Sequence, residues 1–333
     1  MATPIPELIG SPLPAISVIL PVLNEESHLE GAVLSVLSQD YRGPLEIILA
    51  LGPSRDRTNE IAAKLASQDN RVKLLDSPTG KTAAGLNLAL AASKSPVVVR
   101  VDGHAQIPNN YISLIVEILN KTGAVNVGGV MAAVGTTAFE RAVAGAMRSP
   151  LGVGASRFHT GGEAGEVDTV YLGAFRREAL VAIGGFDERF TRAQDWELNF
   201  RLRENGGVIY FDPRLHVTYR PRSSVGALAK QYFEYGRWRR VVSRRHSGTI
   251  NYRYLAPPFA LLGFSVSLVL GVLLSSIFFI PALVYLLFVV LASLKISTSI
   301  GEYLLLLLVI PTMHFAWGAG FISSPKTLVP ASQ

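Results

Sequence analysis

The sequence predicts an α/β domain with a mainly parallel sheet, followed by a basic amphipathic helix and then by membrane-spanning helices. Three observations predict this arrangement. Short runs of Val, Ile and Leu alternate with helical patterns in the first part of the chain, long uncharged apolar stretches occupy its end, and arginines cluster between the two regions. Alternating strands and helices are typical of parallel sheets, and long uncharged runs are typical of membrane helices.

The first domain is expected over residues 15–223, after a flexible start at 1–14. That start is rich in proline and lacks the pattern of a signal peptide, so we expect the domain to stay in the cytoplasm. Strands are predicted at Ile16–Leu20, Leu45–Leu49, Val72–Leu75 and Val97–Val101, and helices at Glu30–Ser38, Asn59–Ser67, Lys81–Ala92 and Tyr111–Asn120. The order βαβαβαβα implies helices on both sheet faces and ligands at the carboxyl ends of the strands.

A basic amphipathic helix is predicted within residues 224–253. Its apolar residues recur three, four or seven positions apart, and six lysines and arginines surround them. Such a helix is expected to lie along an anionic lipid surface, and arginines beside a span favour the cytoplasmic side. A solvated basic helix that only sets the topology is the alternative.

Residues 254–325 are expected to cross a membrane. No residue between Arg253 and Lys295 is charged, and as a helix this run measures about 60 Å, or roughly two hydrocarbon thicknesses. Spans are predicted at 256–274, 277–294 and 303–323, with a tail at 326–333. Because Pro311 and His314 interrupt the third span, two spans with a re-entrant segment remain an alternative, as does a buried apolar hairpin.

Composition narrows the chemistry. The chain has no cysteine, which excludes disulfides, thiolate nucleophiles and cysteine metal sites, so a metal must be bound by Asp, Glu or His. With 49% hydrophobic residues and a mean hydropathy of +0.32, part of the chain belongs in lipid. The net charge of +6 is concentrated beside the apolar end, without interleaved exposed aromatics in the soluble domain, so no nucleic-acid partner is expected.

Polar residues follow the predicted strands, at the edge where ligands are expected. Pro21, Asn24 and Glu25 come after the first strand, and amide and carboxylate groups there can bind a base or ribose. Asp56 lies in the loop after the second strand, and Lys81 begins the third helix, where a cation and free amides can meet a diphosphate. Each of them can equally cap a helix or face solvent.

Two further positions can carry chemistry. Asp102 and His104 follow the fourth strand, where an acid and an imidazole can hold a divalent cation between two phosphates. This mixed pair suits Mn²⁺ better than Mg²⁺, although a simple turn is the alternative. Asp195 begins a predicted helix and can act as a general base. It can also merely cap that helix, with Glu197 and Arg201 forming an i,i+4 pair.

Seven motifs stand in a fixed order along the chain: VRVDGH (99–104), NVGGVM (126–131), FHTGGEAGEVDTVYLGAFRREAL (158–180), GGFDERF (184–190), QDWELNFRLRENGG (194–207), VTYRPRSS (217–224) and QYFEYGRWRR (231–240). Together they resemble family 2 glycosyltransferases of the GT-A fold, and most closely the ExoA-like enzymes named for succinoglycan biosynthesis. The resemblance covers about residues 15–323.

The resemblance implies an inverting sugar transfer from a nucleotide-diphosphate sugar. It assigns Asp102 and His104 to a divalent metal, in place of an Asp-x-Asp motif, and Asp195 to the catalytic base. The expected donor-binding residues are Pro21, Asn24, Glu25, Asp56, Lys81 and Asp102. The expected acceptor-binding residues are Asp168, Gly173, Arg176, Arg177, Trp196, Gln231, Arg237 and Trp238.

The expected acceptor is a lipid-linked polyprenyl-diphosphate glycan of cell-envelope or exopolysaccharide biosynthesis. An acceptor tethered in the inner leaflet explains both the basic helix and the spans, and places the enzyme at the cell membrane as a multi-pass protein with a cytoplasmic catalytic domain. A polyprenyl-phosphate sugar synthase is the nearest alternative.

A catalytically silent membrane scaffold of the same fold is a further alternative. Leu51 stands where many family members have an acid in the base-binding loop, and Tyr219 where many have a third metal-binding histidine. His216 is close in sequence, but a regular strand places it on the opposite face from Tyr219.

Overall fold

An eight-stranded mixed sheet forms the first of two units in the computed structural model, which describes residues 13–329. This unit contains residues up to 132 and 161–219. Its strands are β1 (Ile16–Val22), β2 (Leu45–Leu51), β3 (Val72–Asp76), β4 (Val97–Arg100), β5 (Asn126–Ala133), β6 (Gly165–Glu166), β7 (Tyr171–Arg176) and β8 (Ile209–Tyr219). They lie in the order β3-β2-β1-β4-β7-β5-β8-β6.

The sheet has a parallel half and an antiparallel half. Strands β1 to β4 are parallel neighbours, as the alternating pattern predicted. Strand β7 then pairs antiparallel with both β4 and β5, and β6 pairs antiparallel with β8. The parallel half therefore presents the carboxyl ends of β1, β2 and β4 along one edge.

Helices cover both faces of the sheet. The α-helices of the described residues are α1 (Leu29–Leu37), α2 (Thr58–Gln68), α3 (Thr82–Ala92), α4 (Tyr111–Thr122), α5 (Ala138–Met147), α6 (Pro150–Val153), α7 (Arg157–Thr160), α8 (Arg177–Ala182), α9 (Gln194–Glu204), α10 (Val225–Arg245), α11 (Tyr252–Leu273), α12 (Ile280–Ile296) and α13 (Ile300–Ser323). Alternate residues of β1 enter different cores: Val18 and Leu20 pack with α1 and α4, whereas Ile19 packs with α3 and α9. This alternation confirms the predicted layering.

The second unit contains residues 133–160 and the chain from 220 onward. Residues 133–160, with α5 to α7, fall inside the range expected for the first domain but group with the C-terminal helices. Within residues 13–329, three helical stretches are long and apolar enough to cross a membrane: Tyr252–Leu273, Ser276–Ile296 and Ile300–Ser323. Residues 1–12 of the expected flexible start and residues 330–333 of the expected tail lie outside the described residues.

Glycines allow α10 and α13 to pack at very short range. A Cβ added to Gly320 would overlap the backbone carbonyl of Phe233, and a Cβ added to Gly236 would overlap the carbonyl of Trp317. Backbone cannot move aside as a flexible side chain can. These two positions therefore fix the distance between the helices.

We expect Gly320→Ala to destabilise the full chain by about 1–3 kcal/mol, because the added methyl group forces α10 and α13 apart. Thermal denaturation of the full chain in detergent measures this effect. The matched control is Gly301→Ala in the same helix, where an added Cβ meets no atom within 4 Å. Equal denaturation temperatures for the two variants would contradict close packing at Gly320.

Candidate active site

The loops after β1 and β2 are joined by hydrogen bonds that use the predicted donor-binding residues. The Arg55 amide donates to Asn24 Oδ1 at 2.8 Å, and the Glu25 amide donates to the Thr58 hydroxyl at 2.7 Å. Asp56 accepts from the Thr58 hydroxyl, and this bond lowers the Asp56 pKa. Asn24 has a left-handed backbone with φ of 55°. The structure thus brings Asn24, Glu25 and Asp56 together in one network.

The loop before α3 packs against this network. Gly80 has a left-handed backbone with φ of 60°, and it lies against Pro53 and Leu23. Lys81, the residue before α3, is exposed. Pro21 lies near the first turn of α3. The Pro21 Cβ is 3.5 Å from the position that a Cβ added to Gly85 would occupy. Lys81 and Pro21 therefore border the same group of loops as Asn24.

His104 lies against Glu25. Its Nδ1 is 2.8 Å from Glu25 Oε1, and a Cβ added to Gly103 would be 3.1 Å from Glu25 Cγ. A carboxylate bonded to one ring nitrogen fixes the orientation of an imidazole, as it does for metal-binding histidines. One predicted donor residue thus orients one predicted metal ligand.

The residues at this edge suit a cation that also binds substrate phosphates. Asp102 and His104 supply one carboxylate and one imidazole, and among residues 13–329 no cluster of three His, Asp or Glu side chains forms a metal cage. Two protein ligands are common where phosphate oxygens and water complete the coordination of a divalent ion. These two ligands therefore fit a divalent metal that a diphosphate also binds. They do not fit a structural metal site, in which the protein supplies all the ligands.

Arg100 joins the predicted metal-binding acid to the predicted base. Its Nη1 lies 2.6 Å from Asp195 Oδ1, and its Nη2 and Nε lie 3.0 and 3.1 Å from Asp102 Oδ1. The Arg100 side chain is 7% exposed, against 18% for Asp102 and 23% for Asp195. Because one guanidinium neutralises only one of the two carboxylates, a net negative charge remains at the end of β4. This charge favours a cation there.

The cluster perturbs the acidity of its members. Burial raises the pKa of Asp195, Arg100 lowers it, and the neighbouring Asp102 raises it, with a net increase. Burial lowers the pKa of Arg100, but the two carboxylates more than compensate, so Arg100 stays charged. A carboxylate with a raised pKa is a stronger base than an ordinary aspartate.

The surrounding backbone directs Asp195 toward Arg100. Asp195 is the second residue of α9, and Ala193, with φ of 60°, occupies the cap position without a side-chain cap. The Leu172 amide hydrogen-bonds to the Asp195 carboxylate, and both Leu172 and Gly173 have positive φ. Asp195 is therefore not the helix cap. Strained non-glycine backbone such as that at Leu172 often occurs at functional sites.

Other predicted features have structural roles. The Glu197–Arg201 pair forms as expected, with Arg201 Nε 2.7 Å from Glu197 Oε1. Arg201 also donates to the carbonyls of Ile183 and Gly185, which holds the GGFDERF loop against α9. His216 is exposed and Tyr219 is buried, so they lie on opposite faces of β8 as predicted.

Some predicted acceptor residues lie beside the cluster. Gly173 is next to Leu172 on β7, and Trp196 follows Asp195 and is half-buried. Asp168 is exposed in the loop before β7. Gly173 and Trp196 border the Arg100 end of β4 through their positions on β7 and α9.

The positions of Arg176 and Arg177 differ from the expectation that they bind the acceptor. Strand β7 runs antiparallel to β4, and Arg176 pairs with Val97 at the far end of that strand. The Arg176 side chain is buried and donates to the carbonyls of Leu119 and Ala124 at the end of α4. The Arg177 amide donates to the carbonyl of Pro96, the residue before β4. Both arginines therefore lie away from the ligand edge.

The remaining acceptor candidates belong to the second unit. Gln231 donates to the Tyr235 hydroxyl at 2.8 Å, and Arg237 pairs with Glu234 at 2.8 Å. Trp238 is only 4% exposed, so its ring is not available as an open sugar-stacking surface.

Arg100 and Leu172 were missed by reasoning from the sequence. A signal for Arg100 was present, because it is the one charged residue in the run Val97–Val101. A charged side chain in a buried strand is rare unless it is paired. No sequence pattern indicated the positive φ of Leu172.

Comparisons with known proteins agree with the motifs. Residues 17–184 match the model of the family described as glycosyl transferase family 2. The chain is 34% identical over 242 residues to the succinoglycan biosynthesis protein ExoA of Rhizobium meliloti, covering 72% of this chain and 73% of ExoA. It is 25% identical over 281 residues to a dolichyl N-acetyl-α-D-glucosaminyl phosphate 3-β-D-2,3-diacetamido-2,3-dideoxy-β-D-glucuronosyltransferase of Methanococcus voltae, covering 81% and 85% of the two chains.

Solved structures share the fold. The mannosyltransferase PcManGT from Pyrobaculum calidifontis, in complex with GDP-Man and Mn²⁺, aligns with a TM-score of 0.67 and 20% identity over 96% of this chain and 88% of that one. Staphylococcus aureus TarS 1–349, in complex with UDP-GlcNAc, aligns with a TM-score of 0.52 and 18% identity over 85% and 82%. At these identities the similarity establishes the fold alone.

Proposed function

The chain belongs to glycosyl transferase family 2, and from that premise we propose that it moves a sugar, with inversion, from a nucleotide-diphosphate sugar to a lipid-linked polyprenyl-diphosphate glycan. Family membership makes it a glycosyltransferase of the GT-A fold; the donor class, acceptor and stereochemistry are the proposal. The observation that carries it is the partly buried cluster in which Arg100 contacts both Asp102 and Asp195.

In the proposed reaction Asp195 accepts the proton of an acceptor hydroxyl. The hydroxyl oxygen forms a bond to the anomeric carbon while the bond from that carbon to the diphosphate oxygen breaks, and the nucleoside diphosphate leaves with the electron pair. Attack on the face opposite the leaving group inverts the configuration. The raised pKa of Asp195 supports its role as base, and the Leu172 amide and Arg100 orient its carboxylate.

Asp102 and His104 are the residues that would hold a divalent metal, with Mn²⁺ preferred to Mg²⁺ because one ligand is an imidazole. A bound cation would neutralise charge on the departing diphosphate. Glu25 orients the His104 ring, and Asn24, Asp56 and Lys81 would bind the nucleotide. The complex of PcManGT, a protein of the same fold, with GDP-Man and Mn²⁺ supports a divalent metal in this proposal.

The second unit supports a membrane-bound enzyme. Its apolar helices would anchor the chain in the cell membrane, and the basic α10 would contact anionic lipid on the cytoplasmic side, where a lipid-linked acceptor is reached. The named relatives from succinoglycan and dolichyl-linked glycan synthesis are consistent with such an acceptor.

Donor binding tests the metal assignment directly. We expect calorimetry on the full chain in detergent to detect binding of at least one nucleotide sugar in the presence of Mn²⁺. Either EDTA or His104→Ala should reduce this affinity on the order of 10–100-fold, the loss that is typical when a metal site is disturbed. The matched control is His216→Ala, since His216 is exposed on β8. If no nucleotide sugar bound, or if Mn²⁺ had no effect, the proposed donor site would be wrong.

Acceptor choice separates the two lipid-linked reactions. Radiolabelled sugar transferred to a polyprenyl-diphosphate glycan, and not to bare polyprenyl phosphate, is the result that the proposal expects. Transfer to bare polyprenyl phosphate would instead identify a polyprenyl-phosphate sugar synthase.

A further inference from the structure

The third apolar helix has contacts that a membrane span could not make. We propose that α13 does not cross the bilayer: it lies in the leaflet beside α10, and both of its ends face the side on which α10 lies. The partner of α13 is thus one leaflet of lipid, and of the three apolar helices described only α11 and α12 cross. The inference depends on the proposed membrane placement of α11 and α12, and it is independent of the transfer reaction.

Helices α11 and α12 form a hairpin with two distinct ends. Ser267 Oγ donates to the Phe278 carbonyl at 2.5 Å and accepts from the Ala282 amide at 3.1 Å, which joins the helices near their turn. The flanking charged residues, Arg253 and Lys295, stand at the other termini of the two helices. The hairpin therefore has a turn end and a charged end.

The second half of α13 lies beside the charged end. The Trp317 ring stacks on Tyr254, with centroids 6.4 Å apart, and Gly318 packs against the Pro257 carbonyl. If α13 rose from the charged end parallel to α11, Trp317 would be about 25 Å above its start, at 1.5 Å per residue, whereas Tyr254 is only about 3 Å above the start of α11. A straight span parallel to α11 would not make this contact, so α13 crosses the hairpin at an angle.

Both ends of α13 are held by other helices of the same unit. Glu302, in the first turn of α13, pairs with Arg141 of α5 at 3.7 Å. After its last turn, Ser324 donates to the Arg237 carbonyl and accepts from Arg244 Nη2, each at 2.9 Å. Polar anchors therefore stand at the beginning and at the end of the helix.

Helix α10 cannot follow α13 into the hydrocarbon. It carries Lys230, Arg237, Arg239, Arg240, Arg244 and Arg245, and burial of each such charge at a bilayer centre costs about 2.5–3.5 kcal/mol on insertion scales. The glycine contacts at Gly236 and Gly320 hold the C-terminal part of α13 against this helix. That part must therefore stay near the interface.

Burial agrees with this placement. The most apolar window of α13 is 39% buried, against 11% for α11 and 22% for the α12 stretch. Pro311 and His314 are half-buried in this helix, and His314 Nδ1 is 3.3 Å from the Tyr285 hydroxyl. Polar or helix-breaking residues at membrane depth are tolerated where protein surrounds them.

Cysteine accessibility tests the inference, because the natural chain has no cysteine and wild type gives the background. Single variants are Ser275→Cys at the hairpin turn, Ser297→Cys between α12 and α13, and Thr327→Cys after α13. Each full-length variant is treated with a membrane-impermeant maleimide in right-side-out and in inside-out vesicles. We expect Ser297→Cys and Thr327→Cys to react in the same vesicles, and Ser275→Cys in the opposite ones.

Two results would overturn the inference. Reaction of Thr327→Cys together with Ser275→Cys would show that α13 crosses. Reaction of Ser275→Cys together with Ser297→Cys would show that α11 and α12 do not span, which removes the premise. Sugar transfer measured on the same vesicles separates either outcome from a failure of the proposed function.

Discussion

Asp195→Asn is expected to lower turnover by about 10²–10⁴-fold, the usual contribution of a general base, while nucleotide-sugar binding is retained. Asparagine keeps the size of aspartate and can still accept hydrogen bonds from Arg100 and the Leu172 amide. It cannot take a proton from an acceptor hydroxyl. Single-turnover sugar transfer, measured beside donor calorimetry, gives the rate and the affinity separately.

The pH profile sharpens this test. Because burial raises the Asp195 pKa, turnover of wild type should fall, as pH is lowered, at a higher pH than an ordinary aspartate would cause. Asp195→Asn should lose this limb. Glu204→Gln is the matched control, since Glu204 is exposed at the other end of α9. Wild-type turnover in Asp195→Asn would remove the base from the proposed mechanism.

Arg100→Met is expected to destabilise the first unit by about 3–5 kcal/mol, because it leaves two partly buried carboxylates without their shared cation. Arg100→Lys keeps the charge and is expected to fold. Its single ammonium cannot reproduce the three hydrogen bonds that the guanidinium makes to Asp102 and Asp195, so the two carboxylates lose their relative position. We expect turnover of Arg100→Lys to fall by about 10²-fold with little change in donor KM.

Thermal denaturation and steady-state kinetics on the same preparations measure both effects. Arg71→Lys is the control, because Arg71 precedes β3, at the opposite end of the parallel strands from Asp102, and its pair with Asp69 is partly exposed. If Arg100 had only a structural role, the turnover of each variant would fall in step with its loss of thermal stability. Normal turnover in Arg100→Lys would therefore argue against a positioning role.

The parallel half of the sheet could be predicted because its signals are local. Each of the four predicted strands overlaps an observed strand, and the βα alternation implied their parallel pairing. The antiparallel insertion of β7 between β4 and β5 could not be predicted, since nothing in the residues of a strand specifies which distant strand pairs with it. That insertion is what carries Arg176 away from the site.

The site residues divide in the same way. The sequence motifs indicated Asp102, His104 and Asp195 as site residues. The residues around Asp195, however, are as typical of a helix cap as of a catalytic base. The structure excludes the helix cap, because Ala193 occupies the cap position and the Asp195 carboxylate bonds to Arg100.

Composition and periodicity alone determined the αβ order, the basic helix, the apolar C-terminal stretches and the absence of thiol chemistry, because each depends on residue type or on neighbours along the chain. Only the tertiary structure decided that Arg100 bonds to Asp195 across 95 residues, and that α13 packs against α10 through glycine. Both contacts depend on distances between segments remote in sequence. Such distances are set by packing of the whole chain, so no local pattern encodes them.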